Sequence, residues 1–260
     1  TFGLDHHFQA LVGATFQGET TTHQGVGAHH IQSEQLGLEG MNTGEYQAIE
    51  PYKWQWMLAS GLARVNYNYK HKYYVTASFR ADGSSKFPKK NRWGFFPSAS
   101  VAWTFTNEDW MKGLSWWNNG KIRFSWGETG NNRTSTPYDY YTRFLSLPGN
   151  NNNQDYVRDG QTVSGYFRYN MPNEDLRWET TEQLDLGLDL AFLDNRISVT
   201  ADIYQKNTRD LLLQATMPSS SGYENAMINV GSIRNRGLEL SINVVPVRAK
   251  NFTWTSTFNF

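Results

Sequence analysis

The chain has 260 residues, and 24 Lys and Arg balance 24 Asp and Glu, so the formal net charge is zero. This balance excludes a strongly basic nucleic-acid-binding domain and an acidic disordered tail, and the absence of cysteine excludes disulfide scaffolds, zinc ribbons and cysteine nucleophiles. Aromatic residues make up 15% and charged residues 18% of the chain, a composition more typical of alternating β-strands than of a soluble α/β enzyme.

Alternation of apolar and polar residues, the period typical of β-strands, recurs along the whole chain. The clearest example places Leu184, Leu186, Leu188 and Leu190 opposite intervening polar residues and Gly187. The runs approach the ~9–11 residues with which a tilted strand crosses a bilayer. In chain order, the predicted strands are residues 8–16, 61–69, 73–80, 98–105, 121–126, 183–192, 197–203, 238–244 and 252–260.

The connections between these strands alternate in length. Residues 69–73, 193–196 and 246–251 form short turns, whereas the intervening connections are long and rich in Gly, Asn, Ser and Pro. Short turns at one end and long loops at the other are typical of an outer-membrane barrel. We therefore expect 69–73 and 193–196 to be periplasmic and the long loops to be extracellular. The long loops are residues 19–54, 82–93, 127–180 and 209–236.

Charged side chains lie within the predicted strands, on the side opposite the apolar positions. A small soluble barrel would pack that side with apolar groups, so a polar inner face indicates a wide, wet or plugged lumen. We expect the leucines of 184–190 and the apolar residues of 197–201 to face lipid. The residues expected to face the lumen are Arg64, Arg80, Arg123, Asp185, Asp189, Asp202 and Glu239.

The longest predicted loop, 127–180, combines aromatic rings with amides. Such groups suit stacking and hydrogen bonding to sugar rings or peptides. The same rings also suit an aromatic belt at the membrane surface or packing against a partner protein, and both alternatives remain open here. The candidate residues for ligand or partner contact are Tyr138, Tyr140, Tyr141, Asn151, Tyr156, Tyr166 and Tyr169.

No motif in the chain indicates an enzyme, a metal site or a cofactor. The histidines at 6–7, 23 and 29–30 fall at a strand edge or in a loop, without the spacing of metal ligands. Asp185 and Asp189 would lie roughly 13 Å apart along one strand, whereas the carboxylates of a glycosidase need about 5–9.5 Å. We therefore expect no catalytic residue, no bound metal and no cofactor.

Several segments resemble the SusC/RagA family of TonB-dependent outer-membrane transporters. The motifs include Arg80-Ala81-Asp82-Gly83-Ser84-Ser85-Lys86-Phe87, Arg92-Trp93-Gly94-Phe95-Phe96-Pro97-Ser98, Asn173-Glu174-Asp175-Leu176-Arg177-Trp178-Glu179 and Gly231-Ser232-Ile233-Arg234-Asn235-Arg236-Gly237-Leu238-Glu239-Leu240. They occur in the family's order from about residue 67 to residue 260. In combination they are specific, although each alone is weak.

The resemblance implies an all-β, transmembrane antiparallel barrel of about 22 strands with a plug. Residues 1–260 would supply about nine or ten of its strands, without the plug domain and the first strands. The implied protein of the Gram-negative outer membrane in Bacteroidota imports oligosaccharides or peptides. Its implied partners are a SusD-like surface lipoprotein, the TonB complex (through N-terminal parts outside this chain), outer-membrane lipid, the oligosaccharide or peptide ligand and a second transporter–lid pair in a homodimer. Nucleic acid is not among them.

Two alternatives from other classes remain at the level of the sequence. The first is a secreted or surface-attached all-β module that binds glycans, whose apolar faces would form the core of a sandwich. The second is a self-contained porin-like barrel, which the alternating, aromatic end of the chain slightly favours. The family motifs favour the transporter over both.

Overall fold

The computed structural model describes residues 5–49, 51–145, 156–163 and 165–260. Nine long strands form one sheet in chain order, and every neighbouring pair is antiparallel. No helix in the described part of the chain is long and apolar enough to span a membrane. The strands are β1 (His6–His23), β2 (Tyr52–Tyr69), β3 (Tyr73–Ser84), β4 (Trp93–Thr104), β5 (Trp117–Asn131), β6 (Glu179–Phe192), β7 (Ile197–Arg209), β8 (Ser232–Ala249) and β9 (Phe252–Asn259).

The sheet is open, because its edge strands β1 and β9 do not pair with each other within the described residues. Its register aligns the apolar positions in continuous rows. Leu186 of β6, for example, lies opposite Phe124 of β5 and Ile203 of β7. An open all-β sheet with nine long strands confirms the predicted class, a partial antiparallel barrel.

The strands extend further toward the long connections than the alternation predicts. β1 continues to His23, β2 begins at Tyr52 and β8 begins at Ser232. The predicted boundaries of the long loops were therefore wrong by several residues at most ends. At β1 and β8 the reason is that the backbone ladder continues through mainly polar residues, so the apolar–polar alternation stops before the hydrogen bonding does.

The short turns have the backbone conformations that tight hairpins require. Lys70 and His71 have φ values of 54° and 52°, as in a type I′ turn, whose twist matches that of the flanking strands. The side chain of Asn68 stabilises this turn by accepting a hydrogen bond from the backbone N–H of His71 at 2.8 Å. Residues Leu193, Asp194 and Asn195 also adopt positive φ in the turn between β6 and β7.

Short elements occupy the connections. The short strands are Val26–His29, Glu45–Ile49, Phe144–Leu145, Tyr156–Arg158, Gln161–Val163, Phe167–Arg168, Asn170–Met171, Leu212–Thr216 and Asn225–Asn229, and the 3-10 helices are Glu34–Thr43, Lys89–Asn91, Phe105–Asn107, Asp109–Met111 and Ser219–Ser221. Except for Phe105–Asn107 and Asp109–Met111, all of them lie in the long connections at one end of the sheet.

The two faces of the sheet differ in chemistry. One face, here called the outer face, exposes its apolar side chains, among them Val12 (83%), Phe16 (84%), Met57 (71%) and Leu238 (66%). The opposite, inner face carries hydroxyl, amide and charged groups. The main hydrophobic cluster of buried residues lies at the end with the long connections, where it includes Phe96, an inner-face residue opposite Arg80.

Candidate lumen wall and extracellular loop cluster

The inner face is a ladder of hydrogen-bonded polar side chains. Thr76 donates to Asn66 Oδ1 at 2.9 Å, and the hydroxyls of Ser78 and Ser98 lie 2.6 Å apart. Each of these pairs joins adjacent strands at directly opposite positions. The wall therefore presents mainly neutral hydrogen-bonding groups, held in place by their neighbours on the same face.

One charged cluster on this face joins three strands. Arg123 of β5 contacts Asp189 of β6 through Nε at 2.7 Å and Asp202 of β7 through a terminal nitrogen at 2.9 Å. The side chains are partly buried, at 32%, 27% and 19% exposure. Gly187, which lies directly opposite both Arg123 and Asp202, leaves the space that the guanidinium occupies, because a Cβ there would lie 2.6 Å from Arg123 Cζ.

The other predicted lumen residues lie on the same face. Arg80 donates from Nε to both carboxylate oxygens of Asp82, at 2.8 and 2.7 Å, and reaches the hydroxyl of Ser60 at 3.1 Å. Arg64, Arg80 and Asp82 border a groove of about 470 Å³ near the long connections. Asp185 lies opposite Ser125, and Glu239 lies opposite Asp202. That this face lines a lumen stays a prediction.

The long connections pack together into a hydrophobic core, here called the loop core. It consists of side chains from β4 and from the connections 85–92, 132–178 and 210–231. Phe87 and Leu176 are fully buried. The Trp178 ring contacts Phe96 edge to face at a centroid distance of 5.5 Å. The members are Phe87, Phe96, Tyr140, Leu176, Trp178 and Met227.

The segment 173–178, one of the family motifs, links the connections around this core. Asn173 donates to the backbone carbonyl of Met227 at 2.9 Å, and Trp178 Nε1 donates to that of Arg92 at 3.0 Å. Asn229 in turn donates from its side chain to the carbonyl of Arg177 at 2.8 Å. The motif therefore joins three otherwise separate loops.

Two ion pairs reinforce the same junction. Lys90 Nζ lies 2.6 Å from Asp175, and a hydrogen bond from this lysine lowers the pKa of the Asp175 carboxyl. Arg177 lies 2.7 Å from Asp210, and its hydrogen bond lowers the pKa of that carboxyl as well. Both pairs are substantially exposed, so they position the loops more than they stabilise them.

Asn170 joins the two described ends of the longest connection. It is 1% exposed, accepts a hydrogen bond from the Arg143 backbone at 2.9 Å and donates to the carbonyls of Asp139 and Tyr141 at 3.2 and 2.7 Å. Every polar atom of this buried amide is therefore bonded, as burial requires. The same connection carries the buried carboxylate of Asp139, which accepts from the backbone and hydroxyl of Thr136.

The predicted tyrosines divide into buried and exposed groups. Tyr140 is 8% exposed in the loop core, and burial raises its pKa to about 12. Tyr138 is half-buried and accepts a hydrogen bond from the Gln55 backbone at 3.1 Å, while the Arg143 guanidinium lies 5.0 Å from the ring centre of Tyr169. Tyr141, Tyr156 and Tyr166 are 56%, 52% and 73% exposed, and Asn151 lies outside the described residues.

A groove between two connections brings some of these groups together. It has a volume of about 370 Å³ and is lined by Pro88, Lys89, Lys90, Tyr140, Tyr141, Thr142, Pro172 and Glu174. The rings of Tyr140 and Tyr141 lie 4.0 Å apart at an angle of 36°. An aromatic floor with flanking lysine and glutamate groups suits stacking on, and hydrogen bonding to, a polar ligand.

The opposite end of the sheet contains a polar cluster that sequence reasoning missed. Glu108 accepts hydrogen bonds from Lys72 Nζ at 2.8 Å, from Tyr73 Oη at 2.6 Å and from Trp103 Nε1 at 3.1 Å. The hydrogen bond from Lys72, followed by those from Tyr73 and Trp103, lowers the pKa of Glu108 to about 2. No sequence pattern links residues this far apart; only the register of β3 and β4 brings them together.

Within the described ranges, no three His, Asp or Glu side chains are grouped as a metal site would require. Two of the histidines contact aromatic rings: the His6 ring packs 4.8 Å from that of Tyr69, and His23 stacks on Tyr52 at 4.5 Å.

Comparison with known proteins gives a consistent family assignment. The family described as "TonB dependent receptor-like, beta-barrel" matches residues 2–260. The chain is 35% identical to TonB-dependent receptor P3 of Formosa agariphila over its whole length, and 36% identical to TonB-dependent receptor SusC of Bacteroides thetaiotaomicron over 78% of it. It covers only 25% and 20% of these two relatives, respectively.

Solved structures of two longer proteins have a similar fold. The structure of the RagAB peptide transporter matches all of this chain, and 28% of its own, with a TM-score of 0.83 and 26% identity. The siderophore receptor PirA of Pseudomonas aeruginosa matches all of this chain and 40% of its own, with a TM-score of 0.58 and 14% identity, which establishes a similar fold alone. The chain therefore corresponds to between 20% and 40% of these longer proteins.

Proposed function

Because the chain belongs to the family of TonB-dependent receptor β-barrels, and so to an outer-membrane protein of the SusC and RagA type, we propose that it forms part of the wall and the extracellular mouth of a nutrient importer. Residues 1–260 are one part of the barrel domain. The plug and the remaining strands are supplied elsewhere in the full-length protein.

The observation that supports this proposal most strongly is the opposite chemistry of the two faces. The outer face exposes side chains such as Phe16 and Leu238, which soluble proteins bury and lipid would cover. The inner face carries hydroxyls, amides and the Arg123 cluster, which suit a wet lumen. A soluble glycan-binding sandwich would need the reverse arrangement, with the apolar face packed in a core.

The ligand class that suits the mouth is an oligosaccharide or a peptide. The exposed rings of Tyr141, Tyr156 and Tyr166 offer stacking surfaces, and the groove beside Tyr141 also contains lysine and glutamate side chains. The relative named in the RagAB structure is described as a peptide transporter, which supports the peptide alternative. Tyr140 serves the loop core, so the ligand-contacting set rests on the exposed rings.

The proposed partners are a SusD-like lipoprotein, the TonB complex and a second transporter–lid pair. A SusD-like lipoprotein would close the loops from outside, and TonB would act on the plug. Two transporter–lid pairs would assemble as a homodimer. The loop core offers such a lid a preorganised surface, because segment 173–178 joins three loops before any partner binds.

The proposed function is tested by uptake in whole cells. Full-length protein is expressed in a strain lacking the native gene, and labelled peptides and oligosaccharides are offered separately. We expect uptake of one class to depend on the protein and to stop when the proton-motive force is dissipated, because TonB action requires it.

Two variants refine this test. Tyr141→Ala combined with Tyr166→Ala should raise the concentration needed for half-maximal uptake, whereas Phe144→Ala, an exposed ring of the same connection, serves as the matched control. Uptake that continues without the proton-motive force would support the porin-like alternative. Recovery of the protein in the soluble fraction without detergent would contradict a membrane barrel.

A further inference from the structure

A pair of arginines interrupts the outer face of β8 just beyond its apolar residues. Val244, Ile242, Leu240 and Leu238 lie opposite Ile197, Val199, Ala201 and Ile203 of β7 in successive rows. The next two outward positions on β8 are Arg236, opposite Gln205, and Arg234, opposite Asn207. The apolar rows therefore end where these two guanidinium groups begin.

The orientation of the two arginines follows from their neighbours. Gly237 lies on the inner face beneath Tyr204, because a Cβ at that position would be 2.8 Å from Tyr204 Oη. Since side chains alternate along a strand, Arg236 lies on the outer face. Arg234 donates from Nε to Asn207 Oδ1 at 3.0 Å, which holds it beside an outer-face residue of β7 and leaves its terminal nitrogens free for a ligand.

The height of the pair matches a lipid headgroup. A strand rises ~3.3 Å per residue, and at a tilt of ~40° a ~25 Å apolar band takes about ten residues. The apolar outer-face positions of β8 run from Val247 to Leu238, close to that length. Arg236 and Arg234 therefore lie at the level of the headgroups on the side of the long connections.

Carboxylates close to the pair are already engaged. Glu182, opposite Asn207, accepts a hydrogen bond from Trp126 Nε1 at 2.8 Å. Glu128 forms an ion pair with Arg209 at 2.8 Å. Among the described residues, neither Arg234 nor Arg236 forms an ion pair with a carboxylate, and both are exposed. Two unneutralised guanidinium groups beside an apolar surface match an anionic amphiphile.

We propose that Arg234 and Arg236 bind the phosphate groups of lipopolysaccharide in the outer leaflet, while the neighbouring apolar rows contact its acyl chains. Guanidinium groups bind phosphate oxygens in a bidentate manner, and such charge-assisted contacts are strong next to a low-dielectric layer. The site rests on the proposed orientation, in which the long connections are extracellular, and it is separate from the nutrient path on the inner face.

The test measures binding of bisphosphorylated lipid A to the purified full-length transporter in detergent. The variant Arg234→Gln with Arg236→Gln should weaken binding by about tenfold, as expected for lost charge-assisted contacts. Lipid A stripped of its phosphates should bind both proteins equally. The matched control, Arg196→Gln with Arg248→Gln, removes the same charge from exposed residues at the opposite end of the sheet and should bind like the wild type.

A second variant separates charge from folding. Arg234→Lys with Arg236→Lys keeps the charge and should retain more of the phosphate-dependent affinity than the glutamine variant. Equal affinity of the glutamine variant and the wild type for bisphosphorylated lipid A would overturn the proposal, and so would an equal loss for the dephosphorylated lipid. The lipid A binding measured here and the nutrient uptake measured in whole cells are separate experiments. Failure of this site is therefore distinguishable from failure of the proposed function.

Discussion

At the scale of single residues, Gly187 makes room for a charge cluster that spans three strands. A Cβ at this position would collide with Asp202 Oδ1 and lie 2.6 Å from Arg123 Cζ. The alternation of β6 predicted that Gly187 shares a face with Asp185 and Asp189, but the need for glycine arises from Arg123, which comes from a different strand. The sequence contained both residues without any signal that they meet.

Replacing Gly187 by valine should therefore destabilise the full-length barrel by about 1–3 kcal/mol, because the added atoms displace the Arg123 guanidinium from its two carboxylates. The measurement is the temperature at which the folded, heat-modifiable band disappears on gel electrophoresis. Gly61→Val is the matched control, since a Cβ at Gly61 meets no atom within 4 Å. Equal effects of the two substitutions would contradict the role of Gly187.

Glu108 should make stability depend on pH in the acidic range. Its pKa is lowered from 4.5 to about 2, so the ionised form stabilises the folded state above about pH 4.5, and this contribution is lost as the pH falls toward 2. In Glu108→Gln, the unfolding temperature should change less between pH 4.5 and pH 2 than in the wild type. Glu39→Gln, a change at an exposed glutamate in helix Glu34–Thr43, is the control. If the unfolding temperatures of Glu108→Gln and the wild type fall by the same amount between pH 4.5 and pH 2, Glu108 does not cause the pH dependence.

At the scale of elements, apolar–polar alternation predicted all nine long strands but not their ends. The membrane-facing portion of a strand alternates because one side contacts lipid and the other polar groups. Beyond that portion the ladder continues through polar residues such as 19–23 of β1, where no periodic signal remains. Strand ends outside the apolar band are therefore set by backbone pairing, which a single sequence does not display.

The cost of placing an arginine on the outer face should depend on its depth in the membrane. Leu188→Arg should lower the free energy of unfolding in lipid vesicles by about 2–4 kcal/mol, because it places a charge near the middle of the apolar band. Gln205→Arg lies on the same face of β7, past Ile203, the last apolar outward residue of that strand, and should cost about 0–1 kcal/mol. If the two substitutions have the same cost, the proposed lipid-facing surface is incorrect.

The loop core should hold the long connections together and protect them from proteolysis. Leu176 is fully buried at the centre of the core, so Leu176→Ala should cost about 2–5 kcal/mol through lost contacts and a cavity. We expect faster proteolysis of the long connections in the full-length protein, with the strands still protected. Leu213→Ala, at a leucine that is 49% exposed, should leave the cleavage rate near that of the wild type. A core that does not hold the loops together would give both variants the same rate.

At the scale of the whole molecule, the family motifs predicted the fold, and the structure adds what one of them does. The segment Asn173 to Trp178 was recognisable by its letters alone, yet its role in joining three loops depends on contacts with Arg92, Met227 and Asn229. The candidate ligand residues were less predictable. A tyrosine in a long loop has the same sequence signature whether it is buried, as Tyr140 is, or exposed, as Tyr166 is.

The central claim is that this sheet is part of an outer-membrane wall whose long connections face the outside. It is tested most directly by single cysteines in the full-length protein, with any cysteine outside this chain replaced, and a membrane-impermeant maleimide on intact cells. Asp159, with its side chain 94% exposed at the tip of a loop hairpin, and Asn151 report on the long connections, and Asp194 reports on the short turns. We predict labelling of Asp159→Cys and Asn151→Cys on intact cells, and labelling of Asp194→Cys only after the outer membrane is permeabilised. Labelling of Asp194→Cys but not of the other two on intact cells would contradict the claim.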